Sequence, residues 1–198
     1  MRDKIVVMQD DLKDCGVSSL LSIIRYYGGD VSKEYLREIT KTTKDGVSAY
    51  YLILAARELG FDSYGVNGNV IDIKKEDLPV IAHVVINKAY QHFVVIYKID
   101  FHKKNLVIMD PGYGLKKISF KEWQDISTNN YLFFKPKKKI PKLVNKKSIM
   151  EIISPFIKKY RYLLLVIILF SIIYTIINII TSYSFKLLLD EINIETIS

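Results

Sequence analysis

One stretch limits the architecture of this chain more than any other. From Tyr162 to Phe185, 24 residues pass without a charge, with Arg161 before them and Lys186 after. Residues 163–180 are almost continuously aliphatic. A helix of about 20 apolar residues crosses the hydrocarbon of a bilayer. A helix apolar on every side has few other homes, so residues 161–186 are expected to form a transmembrane helix. The flanks set its direction. Between Lys135 and Arg161 there are ten Lys or Arg and one acid, Glu151; beyond the span, Lys186 faces Asp190, Glu191 and Glu195. Positive charge stays on the cytoplasmic side. Residues 1–161 are therefore expected in the cytoplasm and 187–198 as a short tail outside, a single pass through the cell membrane.

The total charge of +8, from 29 basic and 21 acidic residues, could by itself suggest a nucleic-acid partner. Position argues against that. Residues 1–134 hold 18 basic and 17 acidic side chains, so the excess lies in the tail. Residues 136–147 read as a Lys-rich linker. They lack interleaved aromatics and adjoin the span, which suits anionic headgroups better than nucleic acid. Ser148 to Glu151 fits a capping box, and Ile149, Ile152, Ile153 and Phe156 can share one helix face. Residues 148–160 are thus expected either as an amphipathic elbow helix or as the first turns of the membrane helix, and Pro155 should kink or end the helix there. The single cysteine, Cys15, excludes an intramolecular disulfide and a multi-cysteine zinc site.

Residues 1–135 read as a mixed domain. Apolar spacing predicts helices over 15–27, 32–40 and 48–59, the last two starting at Ser32 and Ser48. Val-, Ile-, Tyr- and Phe-rich runs predict strands over 61–66, 80–85, 92–99, 106–109 and 131–134. Helices first and strands later imply an α+β fold with an antiparallel sheet.

Cys15 falls at the start of the first long helix, where the dipole and free N–H groups favour a thiolate. Gly16 beside it is expected to leave room for a substrate carbonyl. A lone Cys also serves as a small buried apolar residue. A cysteine nucleophile needs a base and an orienting group. His83 lies in an apolar run and suits a core histidine. His102 lies in a charged turn. His92 begins a strongly apolar strand, where a base can be both held and reachable. Asp110 ends the next strand, at the same end of the hairpin, and can hold the imidazole tautomer; Asp110-Pro111-Gly112 also reads as an ordinary turn. Gln9 can supply an oxyanion donor with the Cys15 backbone N–H.

The string Gln9-Asp10-Asp11-Leu12-Lys13-Asp14-Cys15-Gly16 resembles the Q-x-x-x-x-D-C-G signature of the double-glycine peptidase domain. That domain is family thirty-nine of the cysteine peptidases and stands at the N-terminus of bacteriocin-processing ABC exporters. His92-Phe93-Val94-Val95 and Asp110-Pro111 resemble its histidine and aspartate motifs, in the family's order. The resemblance covers about residues 4–135, and residues 148–190 resemble the start of the exporter's membrane domain. It implies a papain-like fold and cleavage of leader peptides after a Gly-Gly pair. In that reading Cys15 is the nucleophile, His92 the base, Asp110 the orienter and Gln9 the oxyanion donor. The partners it implies are a leader peptide, the membrane, and the rest of an exporter or a partner chain, as a dimer. Some relatives lack the cysteine and only bind cargo. No G-x-x-x-x-G-K-[ST] phosphate loop is present. ATP is therefore expected only in another domain or chain, with no cofactor here. A truncated exporter and a membrane-tethered peptidase both fit.

Overall fold

A computed structural model describes the backbone of residues 2–143 and 149–195 and the side chains of residues 4–142 and 153–186. The chain divides into two units, Met1–Asn145 and Lys146–Ser198.

The first unit opens with a short helix α1 (Arg2–Ile5), a 3-10 turn (Leu12–Asp14) and helix α2 (Cys15–Tyr26). Strand β1 (Asp30–Val31), α3 (Lys33–Ile39) and α4 (Ala49–Glu58) follow. The side chains of Ser32 and Ser48 accept N–H bonds from Tyr35 and Tyr51, which satisfies donors the first helical turn leaves free. The sheet is built from β2 (Phe61–Asn67), β3 (Val80–Ile86), β4 (Tyr90–Asp100), β5 (Asn105–Asp110), β6 (Gly114–Ser119) and β7 (Ser127–Pro136). Its order is β2-β7-β3-β4-β5-β6, and every pairing is antiparallel. Helix α5 (Phe120–Ile126) joins β6 to β7.

Core packing accounts for the continuous apolar run in β4. Phe93 and Val95 belong to one core with α2 and α4, while Val94 and Ile96 face a second core with Trp123 of α5. A strand covered on both faces loses the alternation of a half-exposed one. The strand β6 and helix α5 were not anticipated from the sequence. Two lysines interrupt β6, and α5 rests on a capping box at Ser119 and Glu122.

The linker needs correction in its first half. Residues 136–143 do not hang free of the domain. The amides of Lys137 and Lys138 donate to the Gly60 carbonyl, at 2.9 and 3.3 Å. Ile140 is buried, and a Cβ on Gly29 would lie 2.5 Å from it. The missing side chain at Gly29 makes the slot that Ile140 fills. Strand β8 (Lys142–Leu143) then pairs in parallel with β1. A Lys-rich segment can bury its few apolar members when the partner surface offers a gap of the right size.

The second unit holds helix α6 (Ile149–Glu195). Its backbone leaves helical geometry at Tyr160, with φ −107° and ψ 16°. Pro155 lies inside the helix and does not end it. Ile153–Lys186 is long and apolar enough to cross a membrane. The described aliphatic side chains of this helix are exposed. Ser148 lies outside the described residues.

Candidate active site

The N-terminal segment and α2 are bound together by serines. Ser18 donates to the Met8 carbonyl at 3.4 Å and Ser22 to the Ile5 carbonyl. Ser19 donates to the Phe93 carbonyl at 3.2 Å, which ties α2 to β4. These serines are buried, and each hydroxyl takes its partner from the backbone it positions. The backbone N–H of Gln9 donates to the Pro111 carbonyl at 2.8 Å, which leaves its side-chain amide uncommitted to that bond. Gln9 is thereby held beside the turn that follows Asp110, some hundred residues away in sequence.

Three side chains meet in the interior. Cys15 is 8% exposed, His92 3% and Asp110 1%. His92 Nε2 donates to Asp110 Oδ1 at 2.9 Å. His92 Nδ1 is buried and has no hydrogen-bond partner among the described residues. Burial alone would lower the His92 pKa. The Asp110 bond and the neighbouring Cys15 outweigh it and lift it to about 9. Burial would raise the Asp110 carboxyl, but bonds from His92, Lys116 and the Gly112 amide hold it well below the usual carboxylate range. The imidazole therefore has one nitrogen committed to Asp110, with Cys15 close by. That arrangement can accept the thiol proton and hold the resulting imidazolium.

The other histidines separate as the sequence suggests. His83 is half-buried, with Nδ1 2.9 Å from Thr128 Oγ1; burial lowers its pKa. His102 is exposed in the β4–β5 turn. Gly16 requires a different explanation. A Cβ there would collide with Val47 and lie 3.3 Å from Leu52 and Phe93. The glycine lets α2 approach its neighbours.

Three further side chains, none of them singled out by sequence spacing, support the site. Tyr90 donates its hydroxyl to the Leu12 carbonyl at 3.1 Å and packs its ring on His92, centroids 5.5 Å apart. Arg37 grips the buried Asp14 with two bonds, Nε to Oδ1 at 2.9 Å and Nη2 to Oδ2 at 2.6 Å. Lys33 donates to the Met8 carbonyl and to Asp10, both at 2.6 Å. Helix α3 thus clamps the segment that carries Gln9 and leads into Cys15. None of these contacts leaves a local spacing signal, since α3 and β4 are distant in sequence from residues 8–14.

Cys15 opens onto a groove of about 820 Å³. Val47, Ile53, Val66 and Leu132 supply apolar walls, with Tyr50 and Tyr90 beside them.

The profile of the peptidase C39 family matches residues 3–139. The chain belongs to the peptidase C39 family. It is 32% identical over 191 residues to the lactococcin-G-processing and transport ATP-binding protein LagD of Lactococcus lactis subsp. lactis, covering 96% of this chain. It is 31% identical over 184 residues to the transport/processing ATP-binding protein ComA of Streptococcus pneumoniae strain R6, covering 92%. It spans 26% of the length of each of these curated relatives. Among solved structures it resembles the peptidase domain of Streptococcus ComA, a bi-functional ABC transporter in a quorum-sensing pathway. That match has a TM-score of 0.60 and 32% identity, covering 66% of this chain and 96% of the other. It also resembles a double-glycine-motif protease from an AMS/PCAT transporter, solved with its leader peptide. There the TM-score is 0.60 and the identity 33%, with 66% and 90% covered. The α+β architecture with its antiparallel sheet is that of C39 peptidase domains.

Proposed function

We propose that this chain is a membrane-anchored thiol peptidase that removes double-glycine-type leaders from bacteriocin-like precursors, coupled to export by an ABC transporter. The supporting observation is the state of His92: Nε2 is bonded to Asp110, and Cys15 is near enough to help raise the pKa of the ring. Cys15 is the nucleophile. Its thiolate attacks the carbonyl of the second glycine, and the new oxyanion takes hydrogen bonds from the Gln9 amide and the Cys15 N–H. The C–N bond breaks as the His92 proton passes to the leaving amine, and a thioester remains on Cys15. His92 then takes a proton from water, whose oxygen displaces the sulfur and frees the leader. Asp110 orients the ring throughout. The apolar face of the leader lies in the groove lined by Val47, Ile53, Val66 and Leu132.

The peptidase unit faces the cytoplasm. The lysines between Lys135 and Arg161 support this orientation. ATP is handled by another domain or chain, and the working assembly is a dimer.

The test is incubation of the chain with a peptide that carries a double-glycine leader. Cleavage after the glycine pair, lost in Cys15→Ala, is expected. Cleavage that survives Cys15→Ala overturns the assignment. Leader binding with no turnover would make the domain a docking module instead.

A further inference from the structure

Asp110 has a third partner that the chemistry above does not use. Its Oδ1 accepts from His92 Nε2 and from the Gly112 amide, each at 2.9 Å. Its Oδ2 accepts from Lys116 Nζ at 2.7 Å. The sheet register explains the meeting. Asp110 lies opposite Gly114, and Ile108 opposite Lys116, so Asp110 and Lys116 stand on one face as a diagonal pair of β5 and β6. A diagonal neighbour is within reach of a long side chain. Gly114 directly opposite Asp110 has no side chain to block the way. The carboxylate is 1% exposed, whereas Lys116 is 36% exposed at its side chain. The ammonium thus reaches from the surface to a buried carboxylate that also holds the proposed base.

We propose that Lys116 is a positioning residue of this site, acting through Asp110: it neutralises part of the carboxylate charge and so sets how strongly Asp110 holds the His92 proton. This rests on the proposed roles of Cys15, His92 and Asp110. Without the cation, Oδ1 keeps two donors, so the carboxylate stays in place and only its charge changes. An uncompensated Asp110 binds the imidazolium more tightly. A more tightly held proton is a poorer acid for the leaving amine. The other titratable groups facing the dyad are Cys15 from α2, Tyr90 from β4 and His83 from β3. None of them is a cation that could substitute for Lys116. The next lysine, Lys117, is exposed and pairs with Val107, which places it on the other face of the sheet.

Two readouts on the full chain in detergent test the proposal: the pH dependence of leader cleavage, and the imidazole titration of His92 by NMR. Lys116→Met is expected to move both the alkaline limb and the His92 midpoint upward by about half a pH unit or more. Lys116→Arg should return both to the parent values. Lys117→Met removes the same charge from the other face and should move neither. The proposal fails if Lys116→Met leaves the His92 midpoint in place or lowers it, or if Lys117→Met moves it equally. If Lys116→Met does not fold, Lys116→Gln is read by the same criteria. The NMR titration needs no turnover, so it decides the role of Lys116 even if cleavage proves independent of Cys15.

Discussion

The site holds two buried aspartates one residue type apart in partner, Asp14 and Asp110. Both side chains are 1% exposed and both meet a cation. Asp14 meets the planar fork of Arg37, which engages both its oxygens. A bidentate guanidinium engages both carboxylate oxygens and fixes their geometry. Asp110 meets the point charge of Lys116 on one oxygen, which leaves the other for His92. The first pair can only hold the chain in place. The second leaves an acceptor for an imidazole, and so can take part in proton transfer. Burial and charge are alike at the two positions, and the shape of the cation separates scaffold from chemistry.

The comparison breaks first at Asp110. Asp110→Asn should markedly lower leader cleavage per folded molecule, because a neutral amide oxygen can still accept the imidazole N–H but no longer supplies the negative charge that stabilises the imidazolium. Near-parent turnover would remove Asp110 from the mechanism. The counterpart, Asp14→Asn, should act on the fold. It leaves Arg37 without its buried carboxylate and should cost about 3 kcal/mol in denaturant unfolding. Turnover per folded molecule should stay within about tenfold. A selective loss of activity at full stability would erase the distinction.

The positions that were legible in the sequence explain which ones were not. Cys15 and His92 could be proposed because a nucleophile at a helix start and a base at a strand start have local signatures, whereas Gln9 and Asp110 were named through the resemblance of their motifs to those of the family. The helices at 15–26 and 49–58 and the strands β2 to β5 follow from apolar spacing and serine caps. Lys116 could not be placed, because β6 was not legible as a strand and the contact depends on its register with β5. Arg37 acts across 23 residues and Tyr90 across 78, through packing that no spacing encodes. The close packing at Gly16 was hidden for a related reason: its neighbours Val47, Leu52 and Phe93 come from distant parts of the chain. Ile140 was hidden within a lysine run and needed the gap at Gly29 to become core.

A smaller effect sharpens the contrast through pH. The folded His92 pKa is raised from 6.5 to about 9. A raised pKa gives stability that is full below 6.5 and is lost as pH rises through about 9. Denaturation midpoints of the parent chain should therefore fall over that window. Asp110→Asn should flatten the slope, and Asp14→Asn should keep it. The smallest effect is at Arg37. Arg37→Lys keeps one charge but loses the fork and should cost about 1 kcal/mol, read by thermal unfolding. A full rescue by lysine would mean that charge alone holds Asp14.

The central claim is that Cys15 forms a thioester with the leader while His92 and Asp110 manage the proton. The most direct measurement is acid quenching of the chain during turnover of a double-glycine leader peptide, followed by mass spectrometry of the Cys15 peptide. The expected result is an adduct on Cys15 whose mass equals the cleaved leader less one water, and which is absent in Cys15→Ala. Cleavage with the leader attached elsewhere, or leader released intact with Cys15 unmodified, would contradict the account.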